Sequence, residues 1–146
     1  KLPPPSYARR GGEIIAAQLR EVGIEAEISF LEWAQWLEQV FRGYDYGLTI
    51  VSHTEPMDIN IYARPEYYFQ YDNPDFQALI ETLAVESEPA ARSALLAQAQ
   101  TTSAEDFVNG YLFQLALTSV LDAKLQGIWK DAPTQAVDLT GVRWAD

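Results

Sequence analysis

Hydrophobic residues recur at helical spacing in four segments of the chain. Residues 8–22 place their apolar side chains along one face, and Gly23 follows as a typical helix stop. Residues 32–42 repeat the pattern and end before Gly43. A third helix is expected to begin at Pro74 with Asn73 as its cap. A fourth, alanine-rich helix is expected with Ser87 as its cap and runs to about Ser103.

Two further segments have the pattern of β-strands. Residues 24–30 alternate apolar with polar side chains, which is typical of a half-buried strand, and residues 44–52 are almost continuously apolar, which favours a strand buried on both faces. Since a predicted helix separates them, this order indicates a βαβ unit with a right-handed crossover. The expected fold is therefore α/β, a mixed sheet flanked by helices, in a single domain over residues 1–146. Residues 107–121 are also rich in β-forming residues.

Charge and composition narrow the functional classes. Ten basic and 21 acidic residues give a net charge of −11, and this field would repel phosphate backbones, so we expect no nucleic-acid partner. The chain has no cysteine, which excludes disulfides, thiolate metal sites and a cysteine nucleophile. No apolar run reaches the roughly 20 residues that a membrane-spanning helix needs.

Residues 52–72 are rich in aromatic side chains but follow neither a helical nor a strand pattern. Five of them fall within ten residues: Tyr62, Tyr67, Tyr68, Phe69 and Tyr71. Rigid aromatic surface with polar tips is well suited to recognising small ligands. The alternative is that these rings pack under their own loop, and we expect both to hold in part.

His53, the one histidine of the chain, directly follows the second predicted strand, and open α/β sheets place ligand-facing groups at that end. A structural role for His53 is the alternative. Glu55 and Asp58 flank Pro56 and could act as an acid–base pair or bind a cation, but two carboxylates are too few for a specific metal site. The two glycines Gly11 and Gly12 lack the spacing of a phosphate-binding loop. We therefore predict no catalytic residue, no metal and no cofactor.

Several stretches, in the same order, resemble a known family. The run "ARRGGEIIAAQLREVGIEAEISFLEWAQWLEQVFRGYDYGLTIVSH" is similar to the C-terminal lobe of the dipeptide- and oligopeptide-type periplasmic solute-binding proteins of ABC importers (extracellular solute-binding protein family 5). The later "YDNPDFQALI", "PAARSALLAQAQ" and "LQGIW" match the same order. The resemblance implies that the chain is one lobe of a longer, two-lobed binding protein. Residues 52–72, the aromatic loop, would then face the cleft and the missing N-terminal lobe.

The resemblance also implies ligand contacts. In peptide-binding members, the loop after the "YD" strand carries a Trp and an Asp that receives the peptide ammonium group. His53 stands about where that Trp would be, and Glu55 or Asp58 could replace the Asp. The segment before the first helix supplies Tyr7 and Arg9. Trp33 and Tyr68 complete the set of expected ligand-binding residues. Trp33 lies on the apolar stripe of a predicted helix, which favours a position in the core instead.

The function that the resemblance implies is non-enzymatic. The protein would capture a peptide or another small solute in the cleft between its lobes, in the periplasm, and deliver it to the membrane permease subunits of an ABC importer. Its signal peptide would lie with the missing N-terminal part. Two alternatives remain open. One is a free-standing protein-interaction domain that uses the aromatic residues 60–71, and the other is a small hydrolase that uses His53 with Glu55 or Asp58.

Overall fold

The computed structural model describes residues 1–53, 58–114, 116, 118–130 and 138–145. Most of the regular structure in this part of the chain is helical. The helices are α1 (Ser6–Glu21), α2 (Trp33–Trp36) with its π-helical continuation Leu37–Arg42, a 3₁₀-helix (Ile59–Ala63), α3 (Pro74–Val85) and α4 (Pro89–Glu105). Two short antiparallel strands, β1 (Leu125–Gln126) and β2 (Arg143–Trp144), pair Leu125 with Trp144.

The predicted α/β fold is wrong for the described residues. Residues 24–29 and 44–53 join no β-ladder, so the expected mixed sheet and βαβ unit do not form. The only parallel pairing described is a single bridge between Leu2 and Phe30. An alternating pattern indicates which side chains are apolar enough to be buried. A β-strand also needs a neighbouring strand whose backbone groups pair with its own. The same holds for the described part of residues 107–121, which contains no strand.

The first predicted helix is present and slightly longer at its start. It begins at Ser6 and is followed by Gly23, whose φ of 83° lies in the left-handed region that glycine adopts without steric cost. The Gly23 amide donates to the Arg20 carbonyl at 3.0 Å and thereby satisfies one of the free carbonyls at the helix end. The glycine stop is therefore confirmed.

Gly12 lets the start of the chain lie directly on α1. A Cβ atom at this position would stand 2.2 Å from Cδ1 of Leu2, whose side chain is buried. The Leu2 amide donates to the Ser29 carbonyl, and the Leu2 carbonyl accepts from the Leu31 amide, both at 2.9 Å. Leu2 therefore contacts α1 through its side chain and residues 29–31 through its backbone.

Helices α3 and α4 pack around one of two apolar clusters. The buried residues of this cluster are Phe76, Leu79 and Ala99. Asn73 caps α3 as predicted, because its Oδ1 accepts from the Asp75 and Phe76 amides at 3.0 and 3.1 Å.

The predicted cap of α4 is wrong by one residue. The Glu88 carboxylate, rather than Ser87, accepts from the Ala91 amide at 2.8 Å, and α4 then begins at Pro89. No helix in the described part of the chain is long and apolar enough to cross a membrane.

Candidate functional site

A half-open pocket of about 300 Å³ lies between α2 with its π-helical continuation and the aromatic loop. It borders the second apolar cluster, whose buried members are Leu31, Trp36, Val40 and Tyr68. The lining combines aromatic rings with a few polar groups. The lining residues that matter here are Trp36, Phe41, His53, Asp58, Arg64 and Tyr67, together with Tyr68 at the back.

Tyr68 is the centre of the aromatic cluster. Its side chain is 3% exposed, and its ring centroid lies 5.0 Å from Tyr67, 5.3 Å from Phe41 and 5.8 Å from Trp36. The Tyr68 carbonyl accepts a hydrogen bond of 2.6 Å from the Tyr46 hydroxyl, which holds the backbone of the loop against the cluster. The aromatic residues therefore pack partly under their own loop and partly around the pocket.

The Tyr68 hydroxyl contacts the His53 ring, which also lines the pocket. The distance from this hydroxyl to Nε2 of His53 is 2.9 Å, and the two ring planes differ by 11°. Burial raises the pKa of Tyr68 far above its usual value, so the hydroxyl stays protonated and can donate to Nε2. The other ring nitrogen of His53 is Nδ1.

Asp58 faces that second nitrogen of His53. Its Oδ2 lies 3.8 Å from Nδ1, and about a third of each side chain remains exposed. At this distance the carboxylate retains free acceptor capacity toward the pocket. Arg64 lines the same pocket and forms no ion pair with any residue that the structure describes. The site therefore offers one carboxylate and one guanidinium beside apolar rings.

The structure brings three of the predicted site residues together and places three others outside the pocket lining. His53, Asp58 and Tyr68 share the pocket. The Tyr7 hydroxyl accepts from the Ser52 amide at 2.8 Å, so Tyr7 lies beside the site and positions its edge.

Arg9 and Trp33 lie further from it. The Arg9 guanidinium stands over the Phe30 ring at 5.2 Å, and its Nη2 lies 3.4 Å from the Glu32 carboxylate. Trp33 is 44% exposed and meets the Trp36 ring edge-on at 5.7 Å. Glu55 lies outside the described residues.

Sequence reasoning missed the helical wall of the pocket. Trp36 and Phe41 were assigned to a helical core stripe, but they are five residues apart, a spacing that an α-helix places on different faces. The π-helical turn over Leu37–Arg42 widens the helix, and the two ring centroids lie 6.4 Å apart. No local pattern marked this turn. Arg64 was missed because it lies in a loop without a motif.

A second, smaller cavity of about 220 Å³ lies between α3, α4 and the 3₁₀-helix. Its polar lining residues are Asn60 and Arg92, and the Arg92 guanidinium donates to the Leu83 carbonyl at 2.8 Å. Because this guanidinium closes the end of α3, we regard the cavity as part of the packing between the helices.

Comparison with known proteins does not identify the chain. No protein-family model matches it, and no curated protein matches it either. Within the described residues, no group of three or more His, Asp or Glu side chains is placed to hold a metal ion.

Proposed function

We propose that the chain is the solute-binding part of an ABC importer and captures a small solute in the pocket beside His53. The single observation that carries this proposal is the pocket itself. A half-open cavity walled by fixed aromatic rings, with Asp58 and Arg64 among its few polar groups, has the chemistry of a small-molecule site. The ordered resemblance to the peptide-type solute-binding proteins supports the same class of function.

The proposal is one of binding without catalysis. Tyr68 is fixed by the Tyr46 hydroxyl and bonded to His53, so the polar groups at the back of the pocket orient one another. Preorganised aromatic surface lowers the entropic cost of binding a small molecule. The remaining parts of the proposal come from the resemblance: a periplasmic location, a partner lobe that closes over the solute, and delivery to permease subunits.

A second candidate is a protein-interaction function, and a specific observation favours it. Phe107 is 88% exposed, and Tyr111 and Phe113 are also exposed. Tyr62 connects this segment to the aromatic loop, because its hydroxyl accepts from Asn109 Nδ2 at 2.8 Å and lies 3.2 Å from the Tyr111 hydroxyl. An exposed apolar surface of this kind is typical of protein interfaces.

The test of the proposed function begins with the intact mass of the protein in a cell-envelope extract, detected by an antibody to this chain. We expect a mass several times 16.4 kDa, as for a two-lobed binding protein. Solutes are then screened against that purified protein by calorimetry.

Variants of the pocket and of the exposed segment separate the two candidates. Phe41→Ala should lower solute affinity about tenfold, whereas the matched variant Phe113→Ala should leave it unchanged. A native mass near 16.4 kDa without any bound solute would favour the interaction function instead.

A further inference from the structure

We propose that the pocket beside His53 binds a methylated ammonium compound that also carries a carboxylate, the chemical class of the betaines. This inference depends on the proposed solute-binding function and specifies its ligand. It is carried by three properties of the pocket: the angles between its rings, the two charged side chains in its lining, and its size.

Four aromatic rings contribute to the pocket lining, and two pairs of them meet edge to face. The Phe41 ring meets the Tyr67 ring at 86° with centroids 5.6 Å apart, and the Trp36 ring meets the Tyr68 ring at 75° with centroids 5.8 Å apart. All four residues line the pocket. Rings at these angles present their faces in more than one direction, and the electron-rich faces of aromatic rings attract cations. A quaternary ammonium group suits such walls because it has no N–H donors that need acceptors.

The charges favour a zwitterion over a simple cation. Asp58 contributes a carboxylate, and the net charge of −11 attracts cations to the protein. Arg64 lines the same pocket with its side chain exposed, and it forms no ion pair with a described residue. A carboxylate on the ligand would complement Arg64, while its ammonium group lies among the rings.

The size of the pocket points to a compact solute. Its volume of about 300 Å³ is at the lower end of the range for small-molecule sites. A trimethylammonium group joined to a carboxylate by one or a few methylene groups fits this volume. Larger betaines would extend through the open side.

Four probes of nearly identical shape test the proposal by ligand-observed NMR and calorimetry on the full chain. Glycine betaine carries both charges, and 3,3-dimethylbutanoate has the same shape without the positive charge. Choline has the positive charge without the carboxylate, and 3,3-dimethylbutan-1-ol has neither. We expect glycine betaine to bind about tenfold more tightly than 3,3-dimethylbutanoate, to bind more tightly than choline by a smaller factor, and the alcohol to bind most weakly.

Variants assign each preference to a residue. Phe41→Leu should reduce the preference for glycine betaine over 3,3-dimethylbutanoate, and Arg64→Gln should abolish the preference over choline. Phe113→Leu, in the exposed segment outside the pocket, should preserve both preferences. Circular dichroism confirms that each variant remains folded, and preferences are compared only among folded variants.

The possible failures have different meanings. Equal affinity for glycine betaine and 3,3-dimethylbutanoate would overturn the proposal, because the rings would then act only as an apolar surface. Binding of amino acids or dipeptides that Phe41→Leu weakens, with no binding of glycine betaine, would overturn the proposal and leave the solute-binding function standing. If none of these solutes bound, both would fall.

Discussion

The α3–α4 pair and the apolar segments at residues 24–30 and 44–52 have equally clear sequence patterns but different fates. Helix α3 has a capped start and packs with α4 around Phe76, which is 1% exposed. In the two segments, Ile24 and Leu48 are more than half exposed, although the pattern predicts burial. A helix satisfies its backbone within its own sequence, whereas a strand depends on a distant neighbour. Pattern alone therefore predicts structure well only where the hydrogen bonds are local.

The largest expected effect sharpens this comparison with two phenylalanines. Phe76→Ala should lower the free energy of unfolding by about 3–5 kcal/mol, because it leaves a cavity between α3 and α4. Phe113→Ala should change it by less than about 0.5 kcal/mol, since Phe113 is exposed. Urea unfolding measures both. Similar losses for the two variants would mean that the exposed segment is packed as tightly as the helical pair.

Two neighbouring glycines in α1 provide the next test. Gly12→Ala should destabilise the protein by about 1–3 kcal/mol, because the added methyl collides with the buried Leu2 side chain. Gly11→Ala should be neutral or stabilising by up to about 1 kcal/mol, since its nearest neighbour, Cδ1 of Ile50, lies at an ordinary 3.5 Å. Thermal unfolding of both variants measures the difference.

Removing the collision partner provides the control for the glycine test. In a Leu2→Ala background, the penalty of Gly12→Ala should disappear. A penalty that persists in this background would mean that Gly12 matters for its backbone rather than for its contact with Leu2.

A smaller effect is expected at the helix caps. Asn73→Ala should cost about 1 kcal/mol, because the Asp75 and Phe76 amides lose their acceptor. Ser87→Ala should be nearly neutral, since Glu88 caps α4. The free energies from urea unfolding check both values. A large loss of unfolding free energy in Ser87→Ala would mean that Ser87 caps α4, as the sequence pattern predicts.

The smallest expected effect on stability concerns the hydrogen bonds that connect the end of α4 with the start of α3. Asp106, after α4, accepts hydrogen bonds of 2.5 Å from the Tyr71 hydroxyl and 2.9 Å from Asn73 Nδ2, and these bonds lower the pKa of its carboxyl. A lowered folded-state pKa gives stability that is present above about pH 4 and is lost as the pH falls through the folded value. The partial burial of Tyr71 and its bond to Asp106 raise the pKa of the Tyr71 hydroxyl to about 12.

Melting temperatures between pH 3 and 6 test this connection. Asp106→Asn should flatten the decline at low pH, and Tyr71→Phe should flatten it partly, because Asn73 remains as a donor. A decline that is unchanged in Asp106→Asn would assign the acid sensitivity to other carboxylates.

The helices could be predicted because their signals are local. The Asn73 and Pro74 start and the Gly23 stop all appear where the residue types place them. The error at α4 arose because a glutamate side chain is long enough to reach back to the helix amides, so Glu88 displaced the expected Ser87. The sheet was predicted wrongly because residues 24–30 and 44–52 share only a single bridge and a few hydrogen bonds with residues 1–3.

The loop side of the candidate site contains residues that the sequence offered, whereas its helical side does not. His53, Asp58 and Tyr68, each named from the sequence as a ligand candidate, line one pocket. Trp36 and Phe41 could not be placed there by a helical period of 3.6 residues, since the π-helical turn changes that period. Arg64 needed the three-dimensional structure, because a single arginine in a loop carries no pattern.

The π-helical turn makes the pocket depend on the pitch of the helix between two rings. If Leu37–Arg42 adopted α-helical pitch with the same number of residues, Phe41 would rotate by about 100° around the helix axis relative to Trp36. The helix would gain regular hydrogen bonds, and the pocket would lose one wall. Two rings five residues apart share one face only where the helix has π pitch, so the pitch of this segment constrains the site as strongly as its composition.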